Sequence, residues 1–220
     1  MENGTRTYIF QRKMLGILCG LLPITSVLFG LIGSDQNPDG WYKSVSATYY
    51  ATSKICMIGL LFSASVFFFS YKGYDWRDRT LAFIQAICSL GIVVFPCRIP
   101  VDIESVGMFN LPMPVSNIIH GTCAAILFLS FGINILFLFT LGDESRQEKK
   151  KRNRVYRICA YIIFGLFALE CISKIPFIHN TIPVWFPTTW VNELFMLEAF
   201  AVAWLVKAEA IAKFNDKEEN

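Results

Sequence analysis

The sequence predicts an all-α fold, a polytopic transmembrane bundle of about six helices with both termini on the cytoplasmic side. Three observations predict it: 54% apolar against 17% charged residues, long apolar runs separated by short charged segments, and a lopsided partition of Lys and Arg between alternate segments. A soluble domain of 220 residues cannot hide that much apolar surface, which includes 20 Phe and 5 Trp.

Six segments have the length to cross roughly 30 Å of hydrocarbon at about 1.5 Å per residue. They run over 14–33, 55–71, 81–97, 115–141, 157–175 and 190–207, the second and third being the shortest. The first has the length of a signal-peptide core, but no small-residue cleavage site follows it, so a retained helix is expected. Pro112 and Pro114 mark a loop and place the start of the fourth helix near Val115. The connections 34–54, 98–114 and 146–157 are too short for a soluble domain, which makes residues 1–220 a single integral membrane domain. No internal repeat is visible, so the inverted-repeat signature of many secondary transporters is missing.

Orientation follows from the basic residues. The N-terminus, the second-to-third connection, the fourth-to-fifth connection and the C-terminus hold sixteen Lys and Arg. The other three connections hold only Lys43, Lys54, Arg98 and Lys174. Under the positive-inside rule this split predicts an N-in, C-in chain with an even number of spans. The run 146–157 reads as a topology anchor on the anionic inner leaflet.

Several function classes are disfavoured. The net charge of +3 is partitioned by membrane side rather than gathered in one patch, which argues against nucleic acid as a partner. Seven cysteines lie almost entirely in apolar runs without a CxxC pair and read as small core residues. Two histidines cannot build a three-histidine metal site, and neither G-x-S-x-G nor H-E-x-x-H occurs. No cofactor is therefore expected, and an intramembrane hydrolase would have to rest on His120 and carboxylates.

Ionisable residues within a span are expensive and mark candidate sites. Glu198 lies about eight residues, or about 12 Å, from the outer end of the last helix, near the expected bilayer midplane. Glu193, Glu170, Lys174 and His120 fall closer to the outer face, and Arg98 follows the third helix with Asp102 and Glu104. Depth alone allows these to meet in one outward-opening pocket, although Glu170 and Lys174 also have the i,i+4 spacing of a self-satisfied pair. The stretch from Ser44 to Lys54 concentrates hydroxyls with Tyr49 and Tyr50 beside Lys54, a composition suited to an anionic or sugar-bearing headgroup or to an interfacial aromatic belt. Gly16 and Gly20 form a Gly-xxx-Gly pair that permits close helix approach, in this chain or in a homo-oligomer.

The run Ser46-Ala47-Thr48-Tyr49-Tyr50, the helix ending Phe67-Phe68-Phe69-Ser70-Tyr71-Lys72-Gly73-Tyr74-Asp75, and the segments 152–159 and 198–207 resemble a family of small bacterial membrane proteins of unassigned function. Members of that family often carry a histidine where this chain has Ala51. The six-span plan with a hydroxyl-rich first outer loop is more remotely similar to the damage-regulated autophagy modulator type. The resemblance implies the bacterial cytoplasmic membrane as location and transfers no activity. The leading expectation is a bundle binding a lipid-like or small polar ligand from the outer side, as sensor, carrier or accessory subunit. A channel or proton-coupled transporter using Glu198 is the alternative, and an intramembrane hydrolase the third reading.

Overall fold

The computed structural model describes residues 2–32, 43–99, 103–142, 146–182, 187–211 and 214. Among these the fold is helical apart from one short ribbon. Helix α1 covers Glu2–Ile32, α2 Lys54–Ser70, α3 Trp76–Val94, α4 Met113–Ile133, α5 Gln147–Ser173, α6 Pro176–His179 and α7 Thr188–Lys207. A 3-10 turn, Ser46–Tyr50, precedes α2, and α4 runs on as a π-helical turn, Asn134–Leu138. Strands β1 (Ser105–Val106) and β2 (Leu111–Pro112) pair antiparallel, their turn using Gly107 and Asn110 at positive φ.

Among the described residues, three helical segments are long and apolar enough to cross a membrane, namely Met113–Leu138, Gln147–Ser173 and Thr188–Lys207. Helix α2 is apolar but shorter, 17 residues or about 26 Å. Three helices begin well before their apolar stretches, α1 starting at Glu2 ahead of the apolar run from Met14. Asp75 accepts from the backbone N–H groups of Arg77 and Asp78, both at 3.0 Å, so α3 starts at Trp76 and contains a charged first turn. The basic run from Lys149 to Arg157, expected as a connection, lies within α5 instead. At 27 residues that helix is about 40 Å long, longer than the hydrocarbon core is thick.

The six long helices close a ring in chain order: α1 packs on α2, α2 on α3, α3 on α4, α4 on α5, α5 on α7, and α7 back on α1. Aromatic rings fill its centre. Phe131 of α4 stacks on Phe200 of α7 with centroids 3.7 Å apart, and Phe68 of α2 meets both of them and Trp204 edge-on or tilted at 6.1 Å. Such pairs contribute about 0.5–1.5 kcal/mol each beyond their area.

Gly16 and Gly20 are the contact that closes the ring. A Cβ on Gly16 would stand 2.8 Å from Leu205 Cγ, and one on Gly20 3.1 Å from Ala201 Cβ. The Gly-xxx-Gly face is therefore turned to α7 of the same chain. The ring also sorts the charges. Tyr8 Oη donates to Gly73 O at 2.6 Å, and Arg152 Nη1 donates to Phe214 O at 2.9 Å, which gathers the basic connections at one end.

Candidate functional site

At the other end, the carboxylates foreseen as ligand groups are engaged with the protein. Glu193 Oε2 accepts from the backbone N–H of Val45 at 2.6 Å and of Ser46 at 3.3 Å, tying the start of the 3-10 turn to α7. Glu170 Oε1 accepts from Thr189 at 2.8 Å and pairs with Lys174 Nζ at 2.9 Å, while its Oε2 accepts from Asn192 at 2.8 Å. Lys174 also donates to Thr189 at 2.8 Å, so the group forms a small closed network joining the ends of α5 and α7.

The remaining candidates stand with separate partners. His120 Nδ1 lies 2.8 Å from Phe95 O and the residue is 5% exposed. It closes the C-terminal end of α3 together with Ser116, whose hydroxyl donates to Pro96 O at 2.8 Å. The backbone N–H of Arg98 donates to Asn117 Oδ1 at 2.8 Å. Lys54 Nζ sits 4.3 Å from the centre of the Tyr49 ring, and Tyr50 Oη donates to Cys97 O at 2.9 Å. Asp102 lies outside the described residues. Glu198, half-buried in the middle of α7, faces α1 at Gly20, and its Oε1 has no hydrogen-bond partner.

A well-formed cavity of about 390 Å³ lies at the basic end. Its walls come from α1, the α2–α3 connection and first turn of α3, the end of the π-helical turn, α5 and the end of α7. Arg12, Lys149, Arg152 and Lys207 supply four cations; Asp75, Asp78 and Glu209 supply three carboxylates. None of the nine residues singled out from the sequence lines it.

Each charge in this cavity is held differently. Asp78, 2% exposed, is satisfied: its Oδ2 accepts from Tyr71 Oη and Tyr74 N, both at 3.1 Å, and its Oδ1 from Asn134 Nδ2 at 3.3 Å. Lys149 Nζ donates to Phe139 O at 3.1 Å and Leu141 O at 2.7 Å, capping the carbonyls that end the fourth helix. Arg12 is 6% exposed; its Nε reaches Tyr71 Oη at 3.4 Å and its guanidinium lies 5.4, 6.0 and 4.8 Å from the Tyr8, Tyr71 and Tyr74 ring centres. Lys207 Nζ lies over the Tyr74 and Phe139 rings at 4.8 and 4.9 Å. Among the described residues neither Arg12 nor Lys207 makes an ion pair. Aromatic faces orient these two cations without neutralising them, as a carboxylate would. That arrangement suits an incoming anion.

The sequence carried a usable sign of this cavity. Asp75 and Asp78 are acids inside a basic connection, and Lys207 ends an apolar helix whose other charges are two carboxylates. Among the described residues no three His, Cys, Asp or Glu side chains are grouped to hold a metal ion.

Fold and cavity together define a helical bundle of membrane type with a mixed-charge, cation-rich cavity at one end. No family model, curated protein or solved structure matches the chain.

Proposed function

We propose that the protein is a six-span, N-in, C-in integral membrane protein that binds a phosphate- or carboxylate-bearing ligand in the cavity at its basic end. It acts as a sensor, carrier or accessory subunit rather than through chemistry of its own. One observation carries this reading: four cationic side chains from three helices converge on a single 390 Å³ cavity, two of them held by aromatic faces. A space of that size between helix ends is the usual setting for a small ligand. Six spans and the inner position of the cavity are supported by the sixteen-to-four split of basic residues. On this reading the ligand approaches from the cytoplasmic side, while the Glu170 and Glu193 networks hold the outer end together.

The test is calorimetric titration of the full chain in detergent with inorganic phosphate, with short-chain phosphatidic acid and with the uncharged diacylglycerol. Binding of the two phosphates but not the diacylglycerol, lost in Lys207→Gln, is the expected result. Phosphatidic acid binding without inorganic phosphate identifies a lipid headgroup as the source of the anion. Equal binding of all three, or full binding by Lys207→Gln, overturns the proposal.

A proton-coupled transporter is a second reading, favoured by the unpartnered Oε1 of Glu198 in the middle of α7. Flux in proteoliposomes at two pH values, lost in Glu198→Gln, is its signature; a binding protein passes nothing.

A further inference from the structure

A second cavity, of about 320 Å³, opens on the flank between α2 and α3 at the same basic end. It shares no lining residue with the first. Phe68 and Tyr71 form its buried floor. Its sides are Phe69 and Phe83, about half exposed and edge-to-face at 5.5 Å. Arg79 and Thr80, both exposed, complete it in the first turn of α3.

The chemistry divides along α3. The Thr80 hydroxyl donates to Trp76 O at 2.8 Å, so it offers an approaching anion no proton. The Arg79 guanidinium is the donor, a planar fork matched to phosphate oxygens. Exposed Trp76 stands one turn before it on α3 at 72% exposure, at the level of the aromatic belt of a membrane interface. Phe83 is one turn further along α3, about 6 Å deeper into the hydrocarbon. A cation at headgroup depth above an exposed aromatic pair at acyl depth is complementary to one class of molecule.

We infer that this cleft is a binding site for an anionic phospholipid of the basic-side leaflet, with the phosphate on Arg79 and the upper acyl methylenes lying against the Phe69–Phe83 pair. The site does not depend on the ligand cavity described above. Arg79 is outside that cavity, and Lys207 is outside this cleft.

Native mass spectrometry tests it, using the full chain in micelles supplemented with equal amounts of phosphatidylglycerol and phosphatidylcholine of the same acyl chains. The wild type retains phosphatidylglycerol preferentially. Arg79→Gln lowers that preference about fivefold, the contribution of one basic side chain near an anionic headgroup, and Arg79→Lys keeps most of it. Phe83→Ala, a truncation on the exposed side of α3, reduces retention of both lipids. Arg154→Gln, at an exposed basic position of α5 outside both cavities, leaves all of this unchanged. The inference is overturned if Arg79→Gln keeps the wild-type preference, or if Lys207→Gln removes it while Arg79→Gln does not. A lipid-insensitive dimer that Phe83→Ala dissociates would overturn it as well, by assigning the cleft to a second copy of the chain.

Discussion

The ammonium of Lys207 lies 4.8 Å from the centre of the Tyr74 ring, which fixes the end of α7 against the connection between α2 and α3. A cation–π contact of this kind contributes about 0.5–1 kcal/mol where it is partly exposed. Tyr74→Leu therefore loosens Lys207 and weakens phosphate binding about three- to fivefold in calorimetry. Tyr74→Phe, which keeps the ring face, binds as the wild type does.

Glu193 yields a prediction that separates architecture from ligand binding. Glu193→Ala leaves the N–H groups of Val45 and Ser46 without their acceptor, a loss of about 2–3 kcal/mol in thermal or denaturant unfolding. Glu193→Gln retains an acceptor oxygen and loses less than half of that. Both variants keep wild-type affinity for phosphate, because the site lies at the other end of the bundle.

Two glycines make an opposed pair. Gly16→Ala brings a Cβ within 2.8 Å of Leu205 Cγ and 3.1 Å of Ala201 O, so α1 and α7 must separate, at about 1–3 kcal/mol. Gly59→Ala meets nothing within 4 Å and gains helix propensity, up to about 1 kcal/mol. Unfolding midpoints in detergent should move in opposite directions. The oligomeric state measured by sedimentation should not change with Gly16→Ala, since that face contacts α7 of its own chain.

Alkaline titration reports on the 3-10 turn. Burial, followed by Cys97 and Tyr49, raises the Tyr50 pKa above the ordinary phenol value, and its neutral hydroxyl donates to Cys97 O. The unfolded phenol titrates near about 10. Stability from this group is complete below that value and is lost as pH rises through the higher folded value. The stability difference between wild type and Tyr50→Phe should stay level below about pH 9 and shrink above about pH 10. A difference independent of pH would show that the hydroxyl is already solvated.

A fifth prediction concerns Glu209, which follows α7 at φ 55°, a left-handed position that favours glycine, and whose carboxylate lines the cationic cavity. Glu209→Gly removes a competing anion and a backbone penalty of about 1 kcal/mol. It should raise both the unfolding midpoint and the affinity for phosphate; reduced affinity would mean that Glu209 orients the cations.

Helix existence was legible because it rests on local composition. The runs around Met57, Ile126, Ile163 and Phe200 are too apolar for anything but a bundle interior or lipid. Helix starts were less legible, because Asp75 and Gln147 begin helices with charged turns that hydropathy assigns to loops. The candidate residues divided on similar lines. Glu170 and Lys174 announce their pairing by spacing. His120 does not, since its partner is the carbonyl of Phe95, twenty-five residues away at the end of another helix. The basic-end cavity was hardest to foresee. Arg12, Lys149, Arg152 and Lys207 each read as a marker of membrane side, and only the closing of the ring gives them a common neighbour.

The π-helical turn at Asn134–Leu138 amounts to one surplus residue in an α-helix, and it sits between Asn134, which donates to Asp78, and Leu138, which lines the cavity. An unbroken α-helix carrying that residue would turn everything downstream by about 100°. The wider turn absorbs it instead, which leaves Leu138 in the cavity wall and the carbonyls of Phe139 and Leu141 within reach of Lys149. A chain one residue shorter within this turn should therefore keep the same cavity on a straight α-helix, whereas one residue added elsewhere in α4 would swing the wall away.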